Sequence, residues 1–194
     1  MHPWLSTAEW LIAILILIPT LYAMLKGAPF VPTPMEEVRR MLKAAELKPG
    51  DVIYDLGSGD GRLVHTASRL YKAKAVGYEL SPLVWAWSIF LSIFWRSKAK
   101  LRFGNFWNKD VSDAKVIVCY LLPPAMENLK KNILPQLKPG TLLVSHAFQI
   151  QGWIPYKELK RDREKKLAPV WVYKIGAEKA APKSKPKKAR SKKD

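Results

Sequence analysis

Residues 52–62 read Val52-Ile53-Tyr54-Asp55-Leu56-Gly57-Ser58-Gly59-Asp60-Gly61-Arg62. The apolar run 52–56, which includes one acid, predicts a buried strand, and it leads directly into a loop with glycine at every second position. Glycine permits positive φ angles and lets the backbone approach a bound molecule closely. A helix is predicted next, over 62–71. In open α/β sheets, ligands bind beyond the carboxyl ends of such strands, so this stretch predicts a nucleotide-like ligand.

The spacing of the glycines separates the possible ligands. A dinucleotide fingerprint requires G-x-G-x-x-G, and a phosphate loop requires Gly-Lys followed by Ser or Thr. Here the third glycine comes one residue early, Arg62 follows it, and there is no such lysine. The pattern acid-x-Gly-x-Gly-x-Gly is instead typical of methyltransferases that use S-adenosylmethionine (SAM). Asp55 is a suitable charge match for the cationic amino group and sulfonium of SAM.

A second acid follows the next predicted strand, in Gly77-Tyr78-Glu79-Leu80-Ser81-Pro82. A carboxylate at that position can accept hydrogen bonds from both ribose hydroxyls, which is the predicted role of Glu79. Asn105 follows the third predicted strand, where a contact with the adenine amino group is expected. An ordinary turn asparagine explains Asn105 nearly as well.

The rest of the chain alternates between strand and helix patterns. Thr33-Pro34 indicates a helix start with Thr33 as the cap and Pro34 as the first helical residue. The predicted strands cover 52–56, 74–78, 101–103, 116–121, 141–148 and 170–175, and the predicted helices after the loop cover 62–71, 82–95 and 125–134. This alternation predicts an α/β fold with a Rossmann-like, doubly wound, mostly parallel sheet.

Composition limits the function classes. The chain has 194 residues, 48% of them hydrophobic, which is enough for one domain with a core. Its formal net charge of +17 indicates an acidic partner: nucleic acid, anionic lipid or an acidic protein. Cys119 is the only cysteine and there are three histidines, so neither an internal disulfide nor a metal site is predicted.

An uncharged apolar stretch lies near the N-terminus, from Trp10 to Leu25. Extended back to Trp4 it is long enough to cross a bilayer, so residues 1–26 are predicted to be an uncleaved membrane anchor, a transmembrane helix. The alternative is a cleaved signal peptide, but no Lys or Arg precedes the stretch. Because the basic residues follow it, we expect a single-pass protein with its N-terminus outside and its main domain in the cytoplasm.

Two further segments have distinct compositions. Residues 177–194 are rich in lysine and poor in large apolar groups, which predicts a disordered basic tail after a catalytic domain at 27–176. Residues 83–95 have only Ser88 and Ser92 as polar residues. A helix that is apolar all round is buried or in contact with lipid, so 83–95 either faces a membrane surface or lies between the sheet and the N-terminal helices.

Three motifs together resemble a known family. The linker Pro29-Phe30-Val31-Pro32-Thr33, the loop at 55–62 and the segment 77–82 occur in the same order and spacing as in membrane-anchored protein-lysine N-methyltransferases. That family includes the enzymes that methylate lysine in the adenine nucleotide translocase and in the c-ring protein of mitochondrial ATP synthase. The resemblance covers about residues 8–150, and it implies a class I methyltransferase fold and, in a eukaryote, the mitochondrial inner membrane.

The resemblance also implies roles for particular residues. SAM would be held by Asp55, Gly57, Ser58, Gly59 and Gly61, with its ribose on Glu79. The methionine end would lie under Phe30, Val31 and Thr33. The family commonly has an aspartate at the position of Asn105, and this departure weakens the adenine assignment.

The acceptor side of the reaction depends on the segment Cys119-Tyr120-Leu121-Leu122-Pro123-Pro124 after the fourth strand. Tyr120 is the candidate catalytic residue, because its hydroxyl or ring can orient an amine, although a packed strand-end tyrosine explains it equally well. An Asp/Asn-Pro-Pro-Tyr motif is absent, which argues against adenine or glutamine methylation. His146 is a possible base, but a lone histidine on an apolar strand is more often a core residue.

The sequence therefore predicts SAM-dependent methylation of a lysine ε-amine in a membrane-associated protein, with basic residues on an anionic lipid surface. One alternative is a membrane-surface methyltransferase of a lipid or small-molecule amine or hydroxyl. Another is a non-catalytic basic protein that binds RNA or lipid. Nucleic acid is the less favoured partner because a membrane anchor is predicted.

Overall fold

The computed structural model describes residues 9–12, 14, 17, 18, 30–177, 179 and 180. The predicted anchor at 1–26 and the tail beyond residue 180 lie largely outside this part of the chain. Among the described residues, no helix is long and apolar enough to cross a membrane.

The central element is a seven-stranded sheet in the order β3-β2-β1-β4-β5-β8-β7, with a separate two-stranded sheet of β6 and β9. The strands are β1 (Val52–Leu56), β2 (Lys74–Glu79), β3 (Lys100–Phe103), β4 (Val116–Cys119), β5 (Leu142–His146), β6 (Trp153–Ile154), β7 (Lys157–Leu159), β8 (Val170–Lys174) and β9 (Lys179–Ala180). The helices are α1 (Met35–Ala44), α2 (Arg62–Tyr71), α3 (Pro82–Trp95) and α4 (Pro123–Asn132), with short 3-10 turns at Phe106–Asn108 and Leu134–Gln136.

Strands β1 to β5 are parallel to their neighbours, and β8 runs antiparallel to both β5 and β7. The predicted doubly wound, mostly parallel sheet is confirmed. From β1 the chain moves outward to β3, then returns to place β4 on the other side of β1. This reversal opens a crevice at the carboxyl ends of β1 and β4, where ligands bind in such sheets. The register brings Asp55 level with Gly77 and Val118, one residue before β1 ends.

Alternation along β1 builds a core on each face of the sheet. Ile53 packs in a cluster with residues of α1 and α2, whereas Tyr54 and Leu56 pack in the opposite cluster with residues of α4. Ile53 and Leu56 are fully buried, and each such side chain contributes about 1.5–3 kcal/mol relative to an exposed position. The two clusters fix the height of β1 and therefore of the loop that follows it.

Several element boundaries differ from the predictions. Pro34 is the N-cap of α1, so Thr33 is not the cap, and its carbonyl oxygen is used by Arg62 instead. Helix α4 begins at Pro123 because prolines occupy its first two positions. Strand β4 ends at Cys119, before Tyr120 and Leu121. Strands β6, β7 and β9 are short and have no clear alternation, and β9 lies inside the predicted tail, where it pairs with β6.

Helix α3 is not buried between the sheet and the N-terminal helices. Ser88 is its only buried residue, and most of its large apolar side chains are exposed. Of the two interpretations of this helix, burial is therefore wrong for its outward face.

Candidate active site

A cavity of about 520 Å³ lies at the carboxyl ends of β1, β2 and β4. Its walls come from the linker before α1, the glycine loop and the segments that follow β2, β3 and β4. The structure brings together these predicted site residues: Phe30, Val31, Thr33, Asp55, Gly57, Ser58, Gly59, Glu79, Asn105 and Tyr120. Such a volume is in the usual range for a small-molecule site.

The glycine loop is held open by its own backbone. The N–H groups of Gly57 and Ser58 both donate to the Tyr78 carbonyl oxygen, at 3.0 and 2.9 Å. Gly61 N–H donates to the Ser58 oxygen at 2.9 Å. Gly61, also predicted to hold SAM, does not line the cavity: it is the N-cap of α2 with φ +79°, and a Cβ there would lie 2.8 Å from Leu101 Cδ2. Its role is to turn the chain into the helix.

Ser58 places an unsatisfied hydroxyl at the cavity wall. Its Oγ is buried and has no hydrogen-bond partner in the described part of the chain. The residue rests on Gly77, where an added Cβ would lie 2.6 Å from Ser58 Oγ. A buried hydroxyl without a partner is costly, so this atom is suited to a polar ligand. The requirement for glycine at position 77 had no local signal in the sequence.

The Glu79 carboxylate is fixed by two backbone groups. Oε2 accepts from Gly59 N–H at 2.9 Å, and Oε1 accepts from Ser81 N–H at 2.8 Å. Each oxygen keeps lone-pair capacity that can accept from a ligand hydroxyl. Burial raises the pKa of Glu79, and the backbone hydrogen bonds oppose that shift. The arrangement suits the predicted recognition of a pair of ribose hydroxyls.

Asp55 makes the cavity acidic. Burial raises the pKa of Asp55 well above its usual range, and the nearby Glu79 and Asp60 raise it further. A cationic ligand would relieve both effects, because it stabilises the ionised carboxylate. The residues therefore fit SAM, whose amino-acid end and sulfonium are positively charged.

The raised pKa of Asp55 predicts a pH-dependent affinity for SAM. In the free protein Asp55 keeps its proton to a higher pH than usual, whereas a cationic ligand favours the ionised form. Binding should therefore release a proton, and affinity should rise with pH until the raised pKa is passed, by up to about tenfold per pH unit for one proton. Calorimetry in buffers of different ionisation enthalpy measures this release.

The matched control for this pH dependence is Asp55→Asn, which removes the titrating group but keeps its size. We expect weaker binding with a shallower pH slope, the remaining slope coming from Glu79, whose pKa is also raised. An Asp55→Asn variant with the slope of the native protein would contradict the assignment.

Arg62 ties the linker to the glycine loop. Its Nε donates to both carboxylate oxygens of Asp60 at 2.9 Å, and its Nη1 donates to the Thr33 carbonyl oxygen at 2.8 Å. The Phe30 ring lies against Gly59, where an added Cβ would be 2.6 Å from Phe30 Cε2. The linker therefore forms one side of the cavity. The sequence used Arg62 only to exclude a dinucleotide motif and missed this contact.

Tyr120 lies immediately after β4 and is supported from behind. Its ring meets the His146 ring edge to face, with centroids 4.5 Å apart. His146 Nε2 is bonded to Glu37 Oε2, and Glu37 Oε1 accepts from Ala168 N–H at 2.8 Å. Burial lowers the pKa of His146, although Glu37 opposes the shift. His146 is buried and does not line the cavity, so it supports Tyr120 and does not face the ligand.

Asn105 has two roles in the structure. Its Oδ1 accepts from Trp107 N–H at 3.0 Å and so caps a 3-10 turn, and the residue also lines the cavity. The adjacent Phe106 and Trp107 line the same wall, and their rings lie 4.5 Å apart. Sequence reasoning missed this aromatic wall, because neither residue belongs to a recognisable motif.

Fold and site together define a SAM-dependent methyltransferase with a Rossmann-like α/β domain. Residues 55–157 match the family model described as "ANTKMT methyltransferase domain", and the chain belongs to this family. The predicted family and cofactor are thereby confirmed.

Relatives agree with this assignment. A protein-lysine N-methyltransferase from Saccharolobus islandicus (strain REY15A) is 39% identical over 154 residues, which cover 78% of this chain and 96% of that protein. The Xenopus laevis lysine N-methyltransferase named for the c-ring protein of ATP synthase is 28% identical over 155 residues, which cover 77% of this chain and 64% of that enzyme.

A solved structure with the same fold carries a different acceptor in its name. The RNA methyltransferase from Salinibacter ruber, in complex with S-adenosyl-L-homocysteine, superposes with a TM-score of 0.70. It is 35% identical and covers 79% of this chain and 97% of its own.

Proposed function

We propose that this SAM-dependent protein-lysine N-methyltransferase acts on a lysine ε-amine of a membrane-associated protein. The observation that carries the proposal is the acidic cavity of Asp55, Glu79 and Ser58, which opens beside Tyr120. The choice of lysine follows the two curated relatives, both named lysine N-methyltransferases. The choice of a membrane protein is supported by the Xenopus laevis relative, which is named for a component of ATP synthase.

Each wall of the cavity has a separate task. Glu79 would hold the ribose, Asp55 the cationic end, and Ser58 a polar atom of SAM, while Phe30 and the linker cover the loop. When bound, SAM supplies a methyl group activated by its sulfonium. The chain's part is to align the acceptor nitrogen in line with that bond and to exclude water.

The acceptor lysine must arrive without its proton. Removal from water lowers the pKa of an ammonium group, and the apolar side chains of Phe106, Trp107 and Leu121 line the cavity where the amine would enter. The proton is then lost to solvent before the transfer. Tyr120 would orient the neutral amine, held in place by its contact with His146.

The effect of Tyr120 is divided between its hydroxyl and its ring. Tyr120→Phe keeps the edge contact with His146 but removes the hydroxyl, so we expect kcat to fall about tenfold, the value of one hydrogen bond. Tyr120→Ala should lower kcat further, with SAM affinity close to native in both variants. Single-turnover transfer from labelled SAM to membrane proteins measures the rate, and native rates in both variants would remove Tyr120 from the mechanism.

The membrane location belongs to the same proposal. We infer that residues 1–26 anchor the protein in a single pass with the N-terminus outside, and that 27–176 form the cytoplasmic catalytic domain. In a eukaryote the membrane would be the mitochondrial inner membrane. The basic residues, 177–194 among them, would hold an anionic lipid surface, which the net charge of +17 supports.

One experiment tests the acceptor class. Membranes that contain the protein are incubated with labelled SAM, then divided into lipid extract, RNA and protein. Label in a protein band that survives lipid extraction and ribonuclease, and that hydrolyses to methyl-lysine, is the expected result. Label in lipid would favour the lipid methyltransferase. Label in RNA would favour the activity named for the Salinibacter ruber protein, which the positive charge also permits.

A further inference from the structure

Helix α3 turns its large apolar side chains toward solvent. Leu83, Trp87, Phe90 and Phe94 recur at helical spacing on one side, and Ile93 borders them. Trp87 is 51% exposed, Phe90 50% and Phe94 69%. We call these five residues the α3 face. The usual amphipathic arrangement is inverted here, because the polar Ser88 is the buried residue of the helix.

The side chains of this helix are organised for an apolar environment. The rings of Trp87 and Phe90 stack at 5.5 Å, and those of Phe90 and Phe94 meet edge to face at 5.6 Å, so they form a continuous aromatic row. Both serine hydroxyls donate to backbone oxygens of the same helix at 2.6 Å, Ser88 to Trp85 and Ser92 to Ile89. Internal satisfaction of polar groups is what a helix in contact with lipid requires.

The helix is fixed to the rest of the domain at both ends. At its start, Leu80, Ser81 and Val84 line the cavity. At its end, Trp95 stacks on His65 of α2 with centroids 5.4 Å apart. Whatever covers the α3 face is therefore held beside the wall of the cavity.

Charge identifies the occupant. The helix is followed by exposed basic residues, Arg96, Lys98 and Lys100, and the sequence has no acidic residue between Glu79 and Asp110. A tryptophan- and phenylalanine-rich face bordered by cations matches an interfacial helix on an anionic bilayer, where rings enter the headgroup boundary and cations meet lipid phosphates.

We propose that the α3 face docks on the surface of an anionic lipid bilayer and brings the Leu80 and Val84 wall of the cavity beside it. This inference rests on the proposed function and extends it. The catalytic domain itself, in addition to the N-terminal segment, contacts the membrane, and it does so in one orientation.

A site-specific label in the full chain tests this orientation. Cys119 is fully buried, and burial raises its pKa to about 12, so the native thiol is protected from labelling. Phe94→Cys would carry an environment-sensitive fluorophore. Ile154→Cys is the matched control, an apolar residue 44% exposed on β6, at the other end of the sheet order from β2 and β3, which α3 contacts.

The probe is vesicles of phosphatidylcholine and phosphatidylglycerol with a nitroxide on the acyl chain. We expect a blue shift and quenching for the label at 94 and little change at 154. If the protein sediments with the vesicles while the label at 94 stays aqueous, the α3 proposal is overturned and the proposed function is unaffected. A blue shift that depends on protein concentration without vesicles would mean that a second copy covers the face, which also overturns it.

A second variant measures the contribution to affinity. Trp87→Ser, Phe90→Ser and Phe94→Ser combined should weaken vesicle binding at least about tenfold, because three interfacial rings are lost. Ile154→Ser should leave it unchanged, and binding of S-adenosylhomocysteine should be native in both, which shows that the domain is folded. Unchanged vesicle binding by the triple variant would overturn the proposal. Methyl-lysine formation with no vesicle binding by the native protein would refute the membrane part of the proposed function as well.

Discussion

Replacing Glu79 with alanine is expected to weaken SAM binding by about 3 kcal/mol, on the order of 100-fold. The variant loses a carboxylate placed to accept from two ribose hydroxyls. It also leaves Gly59 N–H and Ser81 N–H without the partners that they have at 2.9 and 2.8 Å. Because Gly57 and Ser58 remain bonded to the Tyr78 carbonyl oxygen, the start of the loop should keep its position. Calorimetric titration with SAM, alongside the melting temperature, separates lost affinity from lost folding.

Two further substitutions make the Glu79 prediction specific. Glu79→Gln keeps one accepting oxygen, but its amide nitrogen must face one of the two backbone N–H groups, so an intermediate loss is expected. Glu158→Ala, at an exposed position on β7, should bind SAM like the native protein. Native affinity in Glu79→Ala would show that this carboxylate does not hold the ribose.

The sequence was most informative where function follows from chain order. Asp55 and Glu79 each lie near the end of a parallel strand, and adjacent parallel strands end at the same edge of the sheet, so their convergence on one cavity could be predicted without coordinates. The linker could be assigned only through its resemblance to a family. Its physical cause, the bond from Arg62 to the Thr33 oxygen, joins residues 29 positions apart and has no periodic signal.

Other features could not be predicted because they depend on contacts between distant segments. The three glycines of the loop look equivalent in the sequence, yet Gly59 lies under Phe30 while Gly61 lies against Leu101, outside the cavity. For α3, composition alone left burial and lipid contact equally open. Only the packing of its serine side toward the domain shows which side is outward.

The support behind Tyr120 is the second place where a large effect is expected. Glu37→Ala should lower the free energy of unfolding by about 3 kcal/mol, roughly 6–12 °C in melting temperature. Glu37 is buried on the first turn of α1 and joins His146 at the end of β5 to the Ala168 N–H before β8. Alanine leaves both donors facing a space that it cannot fill. Glu37→Gln should cost less, because its amide can still serve both partners.

The neighbouring Glu36 gives a control on the same helix turn. Its side chain is 59% exposed and its contact with Lys165 is 3.8 Å long, so Glu36→Ala should change stability by less than about 0.5 kcal/mol. Denaturant unfolding of the three variants measures the difference. Equal stabilities for Glu36→Ala and Glu37→Ala would mean that the buried pair is not a structural link. If Glu37→Ala is destabilised as expected, its remaining folded fraction should also show a lower kcat with near-native SAM affinity, because Tyr120 then loses the rigid histidine against which its ring rests.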